Sequence, residues 1–474
     1  MLDGSIYMRR ELTIRVVRAF HDGTLEKMLD QLPIELRPQT HISSRCCIYH
    51  DRAVIKYRLM SLLGISCDDE TDETKSLASY CKEAFERDLK DRNPEKPPLS
   101  VCKAACSSCP PARVVVTGNC RGCFARPCMY SCPKGAISIV NQVSTIDASK
   151  CIKCGKCVSV CPFHAIVKTA VPCEEACPTG AIHKNENGLA EIDFDKCIFC
   201  GNCFSKCPFS AIQEQSQLID ILCDLKEGKK VVAMVAPAAT EQFMGTIEQL
   251  FTAVSKIGFT DVVEVALGAE MTTQHETEEF MERMQEGQPL MTTSCCPAYL
   301  EMVKKFAPEI EPYVSSTPSP MIYTAELVRQ QYPDAKVVFI GPCVAKRLEA
   351  ARKGIDYVLN FEELGSILAG LHIDIMSCEP WKLPRPAIVT ARNFAKSCGV
   401  TEAVIHEAGG GFPEGFKLNA KAVNGIDRKT PTLLKMYANG KIPANFLEVM
   451  CCPGGCINGP CSLKKELHEV HTRP

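Results

Sequence analysis

Beyond Leu218 the apolar positions follow the pattern of alternating strands and helices. Residues 231–235 form an unbroken apolar run and read as a buried strand. Phe243, Met244, Ile247, Leu250, Phe251, Val254 and Ile257 recur at helical period. Residues 261–266 read as a strand, 276–284 as a helix and 290–294 as a short strand. A further buried strand over 336–340 leads into a helix through Arg347 and Ala351. This alternation predicts α/β units with parallel sheets. In such sheets sites gather beyond the carboxyl ends of the strands. Cys295 and Cys296 follow one such strand and Cys343 follows another, so these stretches are placed to converge.

Ahead of this region the pattern is weaker. Residues 25–36 and 53–64 look helical, 71–92 reads as a polar helix, and 93–98 as a proline-rich linker. Three parts are expected: a mostly helical region over 1–99, a cysteine-rich α+β module over 100–217, and an α/β domain over 218–474. The first part shows no recognisable chemistry, and its Cys46, Cys47, Cys67 and Cys81 read as buried free thiols.

The formal net charge of −2 argues against nucleic-acid binding or a polybasic membrane surface. Arg9, Arg10, Glu11, Arg15 and Arg18 interrupt the first stretch, which therefore does not read as an export signal. No run approaches the roughly 18 apolar residues of a spanning helix. A soluble, cytoplasmic protein with no membrane partner is expected. In that setting 31 cysteines, many in CxxC spacing, point to metal or cluster ligation and not to disulfides.

The cysteines keep a beat. Cys102, Cys106 and Cys109 come first, then Cys120-x2-Cys123-x4-Cys128-x3-Cys132-Pro133 and Cys151-x2-Cys154-x2-Cys157-x3-Cys161-Pro162. Cys173-x3-Cys177-Pro178 and Cys197-x2-Cys200-x2-Cys203-x3-Cys207-Pro208 complete an internal repeat of roughly 45–50 residues. In the logic of bacterial ferredoxins, three closely spaced thiolates hold three corners of a 4Fe–4S cube, and the cysteine before proline reaches over to the other cube. That logic groups Cys120, Cys123 and Cys128 with Cys161, Cys151, Cys154 and Cys157 with Cys132, and Cys197, Cys200 and Cys203 with Cys177. Cys173 and Cys207 are left, and Cys106 with Cys109 would complete a fourth set.

A separate constellation lies downstream. Cys296, Cys343, Cys452 and Cys456 come from three stretches near predicted strand ends or glycine-rich turns. Four thiolates suit another 4Fe–4S cube, and taken alone they fit one more electron-transfer cluster. Cys295, next to Cys296, is poorly placed for a disulfide with it.

Three ordered motifs carry a resemblance. They are Thr293-Ser294-Cys295-Cys296-Pro297, Gly341-Pro342-Cys343 with Lys346 and Glu349, and Glu448-x-Met450-x-Cys452 with Gly455-Cys456. In them the chain resembles the FeFe hydrogenase family over about 231–462. The resemblance implies a hydrogenase catalytic domain with parallel sheets, preceded by the ferredoxin-like module and the helical region. It further implies that Cys296, Cys343, Cys452 and Cys456 hold the cube of an H-cluster, with Cys456 bridging to a two-iron unit carrying CO, cyanide and a dithiolate. Lys346 would hydrogen-bond a cyanide, and Cys295 would pass a proton on to Glu276, Glu279 and Ser315, with Arg283 near the outer end. The implied reaction is reversible reduction of protons to H2, with electrons from ferredoxin or a similar low-potential carrier. Maturation proteins would install the two-iron unit.

The chain departs from the family pattern at Tyr299 for tryptophan, Gly341 for methionine, Met321 for glutamine, Cys451 for alanine, and Pro460-Cys461 for glycines. With Arg45-Cys46-Cys47-Ile48-Tyr49 these departures resemble the group B branch. Two other readings remain: a non-catalytic iron–sulfur assembly protein of the Narf type, and an H2 sensor.

Overall fold

Val231–Val235 is apolar throughout because the strand is buried on both faces. It lies second in a parallel four-stranded sheet ordered Asp261–Glu264, Val231–Val235, Lys336–Gly341 and Tyr357–Asn360. A second parallel sheet orders Met291–Thr292, Phe446–Met450 and Ala420–Asn424. The computed structural model describes residues 4–43, 45–89, 92–409 and 418–463.

Several elements differ from their sequence outlines. The strand expected over 261–266 stops at Glu264, and one long helix, Val265–Gln285, starts at once. The polar helix expected over 71–92 shortens to Leu77–Glu86, where Ser76 accepts a bond from the Ser79 amide and caps the start. Gly4–His21 is helical, which its mixed charge conceals. It packs along Phe361–Gly370, with Arg9 paired to Glu362 at 2.6 Å. Leu12, Val16, Leu29 and Leu59 share one buried core with the four-stranded sheet, so the N-terminal helices are part of its packing.

The cysteine-rich module is two nested units. In one, Arg113–Val116 pairs antiparallel with Ile166–Thr169 around the hairpin Ile137–Val140 and Val143–Ile146. In the other, Leu99–Val101 pairs with Ile212–Glu214 around the hairpin Ile182–Lys184 and Ala190–Ile192. The first unit is thus inserted into the second between Cys109 and Val171. Once the insertion is removed, Cys106-x2-Cys109 and Cys173-x3-Cys177-Pro178 of the outer unit match Cys120-x2-Cys123 and Cys128-x3-Cys132-Pro133 of the inner one. The linear sequence hides this, because the insertion separates the two halves.

A buried charge cluster joins the module to the α/β core. Arg347 pairs with Glu214, at the end of the module's last strand, and with Glu363 at 2.9 Å. Its guanidinium also donates to the Val358 carbonyl at 2.6 Å, and Asn360 donates to Glu214 at 2.8 Å. Removing the cation would strand two buried carboxylates, a change that costs about 3–5 kcal/mol. Arg347→Met is therefore expected to lower anaerobic unfolding stability by about that amount. A loss under about 1 kcal/mol, the range of exposed pairs, would show that the cluster does not clamp the module.

Candidate active site

The three motif stretches meet where both sheets end. Thr293 to Cys296 follow the strand Met291–Thr292, Pro342 and Cys343 follow Lys336–Gly341, and Cys451 and Cys452 follow Phe446–Met450. Cys295, Cys296, Cys343, Cys452, Cys456 and Lys346 line one cavity of about 90 Å³. Its other walls are apolar, including Val265, Met321, Phe339, Phe394 and Met450. Gly455 turns the last stretch inward at φ +96°, where a Cβ would lie 2.4 Å from the Ala395 carbonyl oxygen.

The polar groups are held in place. Lys346 pairs with Glu349 at 2.6 Å and donates to Ser319 Oγ at 3.0 Å and the Cys295 carbonyl at 3.4 Å. Burial disfavours its charge, but Glu349 outweighs burial and keeps the ammonium ionised. Glu448, fully buried, accepts from the amides of Cys398 and Thr401 at 2.6 and 2.9 Å, so this motif residue anchors the helix Gly399–Ala408.

A line of titratable groups leaves the cavity. Burial and the nearby Glu276 charge push the Cys295 thiol well above its ordinary value. Glu276 has no conventional hydrogen-bond partner for either carboxylate oxygen. Burial, then the Glu279 charge, raise its pKa to about 8, with the Ser294 amide opposing. Glu279 is the reverse case. Burial pushes it up, yet bonds from Ser315 at 2.6 Å, Ser316 and Thr317 hold it below the usual value. Arg283 pairs with it at 2.6 Å and donates to the Pro312 and Val314 carbonyls. The structure therefore brings Cys295, Glu276, Glu279 and Ser315 together in that order.

The accessory cysteines also group. Cys120, Cys123, Cys128 and Cys161 line one small cavity. Cys157 lies within electrostatic range of Cys151, Cys154 and Cys132, and Cys203 within range of Cys197, Cys200 and Cys177. Cys173 lies near Cys207. Cys106 and Cys207 both border the small core around Cys102 and Ala211, and Cys106 and Cys109 border the core that contains Cys173. The four Cys-Pro turns share one device. The third residue after each cysteine, Gly135, His164, Gly180 or Ser210, has positive φ. That turn aims the following alanine amide at the sulfur: Ala136 to Cys132 at 3.3 Å, Ala165 to Cys161 at 3.4 Å, Ala181 to Cys177 at 3.2 Å and Ala211 to Cys207 at 3.4 Å. Such N–H···S bonds stabilise thiolate charge and tune a bound cluster.

Some site residues carry no mark in the sequence. Ser319, Ser316 and Thr317 stand in a polar run whose contacts only the fold reveals. Cys451 lies within hydrogen-bonding reach of both Cys200 and Cys452, and so sits between an accessory set and the central four thiols. Its adjacency to Cys452 was the available signal. Phe339 explains Gly341: a Cβ on Gly341 would fall 2.6 Å from the Phe339 ring, which lines the cavity instead. Tyr299 is fully buried with its hydroxyl 2.7 Å from Thr292 Oγ1.

The thiols suit a cluster. Burial pushes Cys296 to about 11, Cys456 to about 12 and Cys343 well above the usual range. Thiolates at such a site need cations bound directly to sulfur. Among the described residues no three His, Cys, Asp or Glu side chains close on a point as ligands of a lone ion do. The donor set is soft and the walls are apolar, which fits an iron–sulfur group held by these four thiols.

Fold and site together define an iron–sulfur protein of the hydrogenase kind. Residues 229–460 match the iron only hydrogenase large subunit, C-terminal domain, residues 144–167 a 4Fe-4S binding domain, and residues 168–218 the LdpA Fe-S cluster-binding domain. The chain is 30% identical over 372 residues to the periplasmic [Fe] hydrogenase large subunit of Nitratidesulfovibrio vulgaris, covering 66% of this chain and 85% of that one. It is 28% identical over 408 residues to iron hydrogenase 1 of Clostridium pasteurianum, covering 71% and 69%. It is also 24% identical over 309 residues to the cytosolic Fe-S cluster assembly factor narfl of Danio rerio, covering 50% and 73%. The chain belongs to the FeFe (iron-only) hydrogenase family. No helix among the described residues is long and apolar enough to cross a membrane.

The buried Glu276 carboxyl gives a test of its own protonation. Its folded pKa of about 8 lies above the ordinary unfolded value near 4.3. The folded state therefore holds an extra proton between those values, and stability falls as pH rises through that window. Anaerobic melting of the wild type is expected to drop between pH 5 and pH 8.5, and Glu276→Gln is expected to flatten that drop. Parallel pH profiles would show that Glu276 is not a buried neutral acid.

Proposed function

We propose that this chain is an FeFe hydrogenase that interconverts protons and H2 with electrons from a low-potential carrier. The observation that carries this reading is the aligned set of Cys295, Glu276 and Glu279 beside the four-thiol cavity.

In this reading Cys296, Cys343, Cys452 and Cys456 would hold the iron–sulfur group of the site. That group would supply the redox chemistry that interconverts protons and H2. Lys346, fixed by Glu349 and Ser319, presents its ammonium to the anionic ligands there. Cys295 holds a thiol proton at Sγ. Glu276, neutral near pH 7, takes or returns that proton at its carboxyl oxygens. Glu279, ionised and held by Ser315 and Arg283, exchanges it toward the surface. The apolar walls keep bulk water from short-circuiting this path.

The accessory sets would hold four 4Fe–4S clusters. The nesting of the two units supports the fourth, with Cys106, Cys109 and Cys173 joined by Cys207. The set of Cys197, Cys200, Cys203 and Cys177 is next to the central cube, since Cys451 touches both Cys200 and Cys452. Cys106→Ser with Cys109→Ser is expected to lower iron content by one cube per chain, and unchanged iron would remove these two as ligands.

The direct activity test is H2 evolution by the protein with its two-iron unit installed, driven by a reduced low-potential ferredoxin. Cys295→Ser and Glu279→Ala are each expected to lower turnover about 10²-fold or more with iron content unchanged. Wild-type turnover no higher than that of the protein without the two-iron unit would overturn the reading.

A further inference from the structure

Two adjacent thiols in the N-terminal helical region belong neither to the thiol cavity nor to the accessory sets. The sequence reads Cys46 and Cys47 as buried, yet both are exposed, whereas Cys67 and Cys81 are buried as expected. They stand where the chain enters the helix Ile48–Leu62, and Cys47 occupies the capping position at its head.

A histidine completes the group. Cys46 Sγ lies 3.1 Å from His50 Nδ1 and 3.9 Å from Cys47 Sγ. On the far side of the ring, His50 Nε2 lies 2.7 Å from the Ala104 carbonyl oxygen. A carbonyl only accepts, so Nε2 carries the ring proton. The neutral imidazole therefore turns a bare Nδ1 toward Cys46, and it can take a proton there without losing its bond to Ala104. A nearby base held in place by a third group is the arrangement that activates a nucleophile. Arg45 fastens the same stretch by donating to the Ala105 carbonyl at 2.9 Å. The group thus rests on the loop between Cys102 and Cys106 of the outer unit.

The two sulfurs are not equivalent. The His50 backbone amide first, then the bond from Cys46, hold the Cys47 thiol below its ordinary value, against desolvation and the Asp51 charge. The bond to Cys47 raises Cys46, which keeps its proton. A proton leaving Cys47 has a route, from Cys47 Sγ to Cys46 Sγ as the Cys46 proton passes to His50 Nδ1. The result is a thiolate at Cys47, a thiol at Cys46 and an imidazolium at His50.

We propose that Cys47, with Cys46 and His50, forms a nucleophilic thiol site that takes low-molecular-weight disulfides. The Cys47 thiolate attacks one sulfur of R–S–S–R. A bond forms between Cys47 Sγ and that sulfur, the S–S bond breaks, and RS⁻ leaves and takes up the proton held at His50. Cys47 is oxidised, the disulfide is reduced to one RSH, and the chain carries one SR group. Cys46, being adjacent, is poorly placed to displace that group by closing a ring with Cys47. The adduct therefore stays until an external thiol removes it. The site needs no cluster and no H2 chemistry, so it stands apart from the hydrogenase reading.

The test uses the full chain with its iron–sulfur clusters. It is mixed anaerobically with the disulfide of mercaptoethanol at neutral pH and quenched in acid at timed intervals, and the adduct is located by peptide mass mapping. Cys398, an exposed thiol at the head of the helix Gly399–Ala408, is the reference within the same chain. Cys47 is expected to react about 10-fold or more faster than Cys398. His50→Gln keeps a donor for Ala104 but offers no base, and Cys46→Ser interrupts the proton route. Each is expected to slow Cys47 about 10-fold and to leave Cys398 within about 2-fold. The pH profile separates the base from a structural role. The wild-type rate is expected to level off below the ordinary thiol pKa of about 8.5, and the His50→Gln rate to keep rising through it. Asp51 and Arg45, the charged neighbours on this stretch, are the same in both proteins. Iron content and melting temperature verify the fold of each variant. Cys47 no faster than Cys398, a wild-type rate and profile in His50→Gln, or an internal Cys46–Cys47 bridge in place of the adduct would each overturn the proposal.

Discussion

Everything in this molecule depends on two parallel sheets ending at the same place. Parallel strands leave their carboxyl ends on one edge, and loops there are free to carry chemistry. Lys336–Gly341 belongs to one sheet and Met291–Thr292 and Phe446–Met450 to the other, yet each delivers thiols to one cavity within a few residues of its end. A single sheet would deliver them in a row, whereas two facing sheet ends surround a volume. The helix Val265–Gln285 starts directly from another strand of the same architecture and runs along the cavity with Glu276 and Glu279 on one face.

In the hydrogenase reading proposed above, the same edge would keep electrons and protons apart. Cys296 and Cys452 lie toward the outer ferredoxin-like unit, through Cys451 and Cys200. Cys295 lies toward Glu276 and the serine-rich turn around Ser315. Two adjacent cysteines thus open onto two different paths. Arg347 joins a module strand to the helix Phe361–Gly370 of the α/β core by pairing with Glu214 and Glu363. The second path is held by the hydroxyls on Glu279, which keep one carboxylate ionised while its buried neighbour stays neutral.

Much of this was legible from residue spacing. Continuous apolar runs marked the strands, and CxxC spacing marked the cysteine sets, because both are local patterns. The nesting was not legible, since the inner unit separates Cys109 from Cys173 and pairing of Leu99–Val101 with Ile212–Glu214 is a long-range event. The N-terminal helix was missed for a related reason. Arg9 and Arg10 break its apolar pattern, and Arg9 has its partner, Glu362, far along the chain. Gly341 read as a missing side chain until Phe339 was seen to occupy the space. Cys451 read as a departure until its neighbours across the interface were known.

The central claim is that the cavity beside Cys456 and Lys346 takes a two-iron unit, which separates a hydrogenase from a relative that keeps only cubes. Infrared spectroscopy of the anaerobically matured protein tests it most directly. The account predicts sharp bands of iron-bound CO and cyanide, with the cyanide bands shifting in Lys346→Gln. A protein with full cube iron and no such bands would contradict it.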